Sequence, residues 1–166
     1  VLNFPVKSLP GTQHYLRKLS TEQLVWSSVL NFPGNISKSL LKQLLRIEKI
    51  VIENTYFEAV DEEAILVIRV RPLARDKSRC PHCGKRCPGY DSQTKVRRWR
   101  SLDLGSTRVY LESTAPRVQC PEHGVVVAKV PWARHATGYT YDFETTVTWL
   151  ALHATAQDIA EYFRID

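Results

Sequence analysis

The clearest periodic signal begins at Asn35. In NISKSLLKQLLRI, Leu40, Leu41, Leu44, Leu45 and Ile47 recur at helical spacing behind a capping residue, Ser37 or Asn35, which predicts a helix. The pattern then shortens. KIVIENTYFEAV and AILVIRVRP read as two β-strands joined by a turn around Asp61–Glu63, and Pro72 ends the second because it cannot donate to a ladder. KVRRWRSLDL and TRVYLESTAPRVQC read as a further strand pair turning at Gly105, and GVVVAKVPW as one more short strand. The tail returns to helical spacing. Thr140 or Asp142 caps a segment with Phe143, Val147, Leu150, Ala151 and Ala154 on one face; after a break near Ala154–Thr155, a second segment turns Ile159, Ala160 and Phe163 inward. Residues 1–34 carry only short apolar clusters punctuated by Pro5, Pro10, Gly11, Pro33 and Gly34. They hold the five-residue string VLNFP twice, at 1–5 and 29–33, and two copies do not make a solenoid.

At 166 residues and 43% hydrophobic, the chain suits one domain or two small ones. No run approaches the length of a membrane-spanning helix, and the first residues lack the order of a secretory signal. The default compartment is therefore a reducing cytoplasm, where four cysteines point to metal ligands or free thiols rather than disulfides. Methionine is absent altogether, so the chain is expected to be a piece of a longer protein. The net charge of +6 is unevenly spread: from Arg69 to Arg100 there are eleven Lys or Arg against Asp76 and Asp91, a local +9 that leaves −3 elsewhere. A basic block in a mildly acidic chain suits a polyanion partner, and it equally suits a solvated face.

The cysteines sharpen this. CPHCG at 80–84 and CPEHG at 120–124 are near-copies of one turn, each with two ligands three positions apart, proline after the first and glycine after the second. Two intervening residues let both side chains reach one tetrahedral ion, and the glycine allows the positive φ that closes such a knuckle. Cys80, Cys83, Cys120 and His123 thus form a Cys3His set for a structural Zn2+ ion. The 36 residues between Cys83 and Cys120 accommodate the strand pair, whose ends bring the two knuckles together. Cys87 is the competing ligand, read as a bystander; His82, inside a knuckle, faces away from the metal. Glu122 invites comparison with zinc deaminases, but the H-x-E motif is missing and four ligands are present where a catalytic zinc keeps three.

Lys95, Arg97, Arg98 and Arg100 surround Trp99 on a predicted strand. Arg98 and Arg100 then face one side, Arg97 and Trp99 the other. These cations, with Arg108, Arg117 and Lys129, are the candidate phosphate contacts, and Trp99 is assigned to the core. Trp132, Arg134 and His135 lie in a linker that either packs as a hinge or lies on DNA.

With CPHCG, RRWRSLDLG, RVQCPEHGVVVAKVPWARH and the helical tail in view, residues from about Ile50 to Asp166 resemble the bacterial ISL-three family of insertion-sequence transposases. The resemblance implies a zinc finger ligated at Cys80, Cys83, Cys120 and His123, followed from about Tyr141 by the start of a helix-turn-helix. In the family an RNase H-like catalytic domain comes after these. The helix after the turn and that domain are expected to be absent from this sequence, so no catalytic residue is carried over, and Asp142, Asp158 and Asp166 are not enlisted as one. The expectation is an α+β chain: a poorly structured extension over 1–34, a helix plus hairpin over 35–76, a zinc-binding DNA-contact module over 77–135 with a small antiparallel sheet, and a truncated helix-turn-helix over 136–166. Its expected role is to bind double-stranded DNA at transposon terminal inverted repeats, without catalysing strand transfer, in the bacterial cytoplasm at the nucleoid. Self-association and association with full-length transposase are the further partners considered. The rival roles are a zinc-structured protein-interaction module and a zinc hydrolase using Glu122.

Overall fold

A computed structural model describes residues 37–60, 63–91 and 95–165, which belong to one compact unit, Asn35–Asp166. The expected extension over 1–34 and its VLNFP repeat lie outside the described residues. Helix α1 spans Lys38–Leu45; Ser37 caps it, its Oγ accepting from Leu40 N–H at 3.4 Å. It buries Leu41 and Leu45 and leaves Leu40 and Leu44 half exposed, a narrower apolar stripe than the leucine spacing predicts. Strands β1 (Ile50–Val60) and β2 (Glu63–Pro72) form an antiparallel hairpin. Strands β3 (Val96–Leu104) and β4 (Thr107–Thr114) form a second.

The class is α+β as the pattern implies, but the sheet is mixed rather than antiparallel. The hairpins lie side by side in the order β1-β2-β4-β3, with β2 and β4 parallel from Leu66↔Val109 to Arg69↔Glu112. The reason lies in β2 and β4. β2 carries apolar residues on both faces, Ile65–Ile68 being buried without a break, and β4 is buried on both faces from Leu111 to Ser113; a strand buried on both faces belongs in the sheet's interior. The long excursion after Pro72 lets β3 take the outer edge and β4 the central slot. The same pairing means that residues 35–76 and 77–135 do not separate as units, because one sheet joins them.

This topology places the site. The parallel pair ends together at Pro72 and Thr114, and β3 starts at that same end. The excursion from Pro72 to Val96 and the chain leaving Thr114 therefore both emerge at one end of the sheet. There the second leg forms a small hairpin, β5 (Arg117–Cys120) and β6 (Gly124–Val127).

One sheet face packs on α1 and on the segment after β6. Ile50, Ile52, Leu66, Ile68, Val70, Trp99, Val109 and Leu111 meet Leu41 and Leu45, with Trp132 and Ala133 closing the cluster. Trp99 is a core residue, as assigned, and meets the Trp132 ring edge-on at 5.5 Å. Of the linker, Trp132 packs into the core at 1% exposure, and residues 138–140 bond along β3 through Arg100 N–H to Gly138 O (2.7 Å) and Thr140 N–H to Arg100 O (2.9 Å), while Arg134 and His135 stay exposed. Helices α2 (Tyr141–Leu150) and α3 (Ala156–Phe163) follow, capped by Thr140 and by a Thr155–Asp158 capping box, with Phe143, Ile159 and Phe163 forming their own small core. No described helix is long and apolar enough to cross a membrane.

Candidate metal centre and basic surface

Each knuckle is built by its own turn chemistry. In the first, Gly84 takes φ +71° and donates to Cys80 O at 3.0 Å, while Cys80 N–H returns to Lys85 O at 2.9 Å. In the second, Cys120 ends β5 and Gly124, at φ +67°, opens β6, so the two ligands cap a hairpin. The legs are zipped by Gln119 N–H to Pro88 O (3.0 Å) and Tyr90 N–H to Arg117 O (3.0 Å). An ion pair between Lys85 and Glu122 joins the knuckles directly.

The result brings together Cys80, Cys83, Cys120 and His123, whose donor atoms all lie within 4.8 Å of one another. Cys83 Sγ and Cys120 Sγ are 3.7 Å apart; His123 Nδ1 lies 3.5 Å from Cys120 Sγ and 3.8 Å from Cys80 Sγ. Tetrahedral bonds of about 2.3 Å to sulfur and 2.0–2.1 Å to nitrogen give donor separations of roughly 3.8 Å and 3.5 Å. The donor set therefore fits zinc by chemistry and by spacing. The contact with His123 draws the Cys120 thiol down to about 6 against the opposing effect of burial, which favours the thiolate a metal ligand must be. Cys87 is buried outside the set, its Sγ directed at Lys85 O at 3.4 Å, and burial pushes its thiol up. His82 contributes no donor to the group. Its ring instead stacks on His123 at 5.0 Å, with His135 edge-on to it at 5.3 Å. Glu122 is likewise outside the group and held by Lys85. Four converging ligands make a closed site.

The arginines sort differently from the sequence expectation. Arg98 and Arg100 do share a face, opposite Trp99, but neither presents a free charge. Arg100 is 3% exposed: it pairs with Asp103 at 2.5 Å, donates to Ser101 O and to Phe163 O at the C-terminal end of α3, and lies against the Tyr110 and Phe143 rings. This corrects its assignment as a DNA contact, because the helices α2 and α3 cover that part of the face. Arg98 is drawn into a network with one participant from each strand of the sheet at least: Glu58 and Tyr56 on β1, Arg69 on β2, Glu112 on β4. Arg108 is mostly covered and pairs with Glu63; Arg117 pairs with Asp91 and packs on Tyr90. Lys95, Arg97 and Lys129 are exposed and enter no ion pair among the described residues.

Glu112 sits at the centre of that network, 3% exposed. Burial alone would raise its pKa, but hydrogen bonds from Arg69, Arg98 and Tyr56 outweigh it and hold the carboxyl below its ordinary value. A depressed folded-state pKa stabilises the fold above the unfolded value and ceases to do so as pH falls through the folded one. Urea midpoints of wild type and Glu112→Gln should therefore differ most at neutral pH and converge below about pH 4. A gap independent of pH would contradict the charged network.

Comparison with known proteins matches residues 76–123 to the zinc-finger of transposase IS204/IS1001/IS1096/IS1165, the ISL3-type ribbon, and the matched stretch contains all four converging ligands. Residues 76–123 are thus a zinc ribbon of the ISL3 transposase type. Two relatives are the transposases for insertion sequence element IS1557 of Mycobacterium tuberculosis strains CDC 1551 / Oshkosh and ATCC 25618 / H37Rv. Each is 45% identical over 129 residues, covering 76% of this chain. The chain spans 29% of the length of these curated relatives. No solved structure matches. The family's ribbon gives the Cys3His cluster its cofactor, a structural zinc ion. The sequence reading assigns no role to Lys85 and weighs Glu122 only as a catalytic residue, whereas the two clamp the knuckles. Their signal was opposite charge at positions next to ligands in two near-identical turns.

Proposed function

We propose that Cys80, Cys83, Cys120 and His123 hold one zinc ion, and that the module they organise binds double-stranded DNA at the terminal inverted repeats of a transposable element. The observation that carries this reading is the convergence of both knuckles at tetrahedral spacing in a family of transposases. Within these residues the role is recognition rather than strand transfer: the zinc has four protein ligands, leaving no position for a reacting water. Lys95, Arg97, Arg117 and Lys129 are the candidate contacts that stay exposed outside the Glu112 network, with α2 and α3 as the start of a helix-turn-helix. The setting is the bacterial cytoplasm at the nucleoid, with a full-length transposase or a second copy as protein partner.

Binding to a terminal-repeat duplex and to an unrelated duplex should be titrated across salt concentration. The expected result is a linear fall of log K with log salt at a slope of about −0.9 per phosphate contacted, with tighter binding to the terminal repeat. Absence of binding to any duplex at low salt would contradict the reading and favour a protein-interaction module.

A further inference from the structure

Three clefts open around the zinc end of the sheet, and Lys129 lines all of them. They differ in charge. The largest, 540 Å³, sets Arg46, Lys49 and Arg79 against Glu48, Asp76 and Asp142, and the cleft beside Pro72 includes Glu53 with Arg71 and Lys77. The third, 230 Å³, lies between Pro81 of the first knuckle, the start of β3 and the linker after β6. Arg97, Lys129, Arg134 and His135 line it, and no carboxylate does. Its inner wall includes Trp99, a core residue that cannot withdraw.

Two further features mark this cleft. Arg97 and Lys129 come from separate elements, are both exposed, and are free of ion pairs among the described residues; only Arg134 has a partner, Glu144 at 3.0 Å. The linker wall also holds Ala136 at φ +63°, a backbone conformation that favours glycine. A strained alanine held in a wall beside unpaired cations is the kind of backbone outlier that accompanies binding sites.

We propose that this cleft seats a backbone phosphate of duplex DNA, held by Arg97 and Lys129 with Arg134 at its rim. The inference rests on the DNA-binding reading above and deepens it. It moves the contact from the arginine face of β3, where Arg98 and Arg100 are neutralised internally, to the opposite side of that strand beside the zinc knuckle. An anion in the cleft meets the two unpaired charges of Arg97 and Lys129, the nearest carboxylate being Glu144, held at the rim by Arg134 and Thr137, and the zinc fixes the wall that carries Pro81.

The test uses the zinc-loaded 166-residue chain and a DNA duplex, with zinc content and thermal melting recorded for each variant. Arg97→Gln/Lys129→Gln should lower the magnitude of the salt slope by about two and weaken binding roughly 10- to 100-fold near 0.1 M salt. Lys129→Gln alone should lower the slope by about one. Lys42→Gln, exposed on α1 and away from all three clefts, should bind as wild type. A double variant with wild-type slope and affinity overturns the cleft while wild-type binding still supports DNA recognition. An equal loss in Lys42→Gln also overturns it, because the effect is then one of total charge. A wild type that binds no duplex removes both readings. Inorganic phosphate should displace the duplex no better than chloride of equal ionic strength. Stronger displacement assigns the cleft to a free phosphate ion and overturns the DNA assignment.

Discussion

Stripping zinc with a chelator, or replacing Cys120 with serine, should melt the two knuckles while the central strands of the sheet stay folded. The cluster around the ligands is small: besides Cys80, Cys87 and Cys120, its buried members are Val118 and Ala128. Such a core offers little apolar burial, so the ion supplies most of the module's stability. Structural zinc in finger peptides contributes about 10–16 kcal/mol, more than so small a cluster can provide. The main core is independent of it, since Leu66, Ile68, Val109 and Leu111 pack against α1, Trp99 and Trp132 rather than against the ligands. Hydrogen exchange should therefore show protection lost at the knuckle bonds, such as Gly84 N–H and Gln119 N–H, and kept at Ile68 and Leu111. Retained knuckle protection without zinc would mean that ordinary packing holds the module.

Arg100→Ala should be the most damaging change among the basic residues, and for a reason unrelated to DNA. The guanidinium reaches Asp103, the carbonyl end of α3, and the Tyr110 and Phe143 rings while 3% exposed. A cation at a helix C-terminus also complements the helix dipole. Removing it leaves Asp103 without that partner and the end of α3 without its donor, a loss of the kind that costs about 3–5 kcal/mol for a buried pair. The expected outcome is a lowered melting temperature with α2 and α3 losing protection first, and an unchanged salt slope for whatever folded protein remains. An exposed phosphate contact predicts the reverse, an unchanged melt with a shallower slope, so one variant measured both ways decides which part Arg100 plays.

Elements with local causes were legible in the sequence. Ser37 and Thr140, each one of two caps the pattern offers, begin their helices, Pro72 ends β2, and each knuckle's glycine takes the positive φ that its motif calls for. The strand pair between the knuckles brings them together as its length allowed. What was not legible depends on contacts distant in sequence. The parallel pairing of β2 with β4 sets Glu112 beside Arg69, and no local pattern specifies that register. The period of two correctly put Arg98 and Arg100 on one face, but it could not say that Glu58, Glu112 and Asp103 would meet them there. Charge counted along the chain overstates the free charge of the fold for the same reason. The sequence leaves two roles open to Trp132 because a linker's burial depends on the sheet it crosses, and the sheet buries it.

The account turns on the metal centre, and zinc-edge X-ray absorption of the purified protein tests it most directly. It predicts one zinc per chain, three sulfurs at about 2.3 Å and one nitrogen at about 2.0–2.1 Å, with a spectrum unchanged in Cys87→Ser and altered in Cys120→Ser. Protein whose two knuckles keep their hydrogen-exchange protection with no bound zinc, or a spectrum that changes in Cys87→Ser and not in Cys120→Ser, would contradict it.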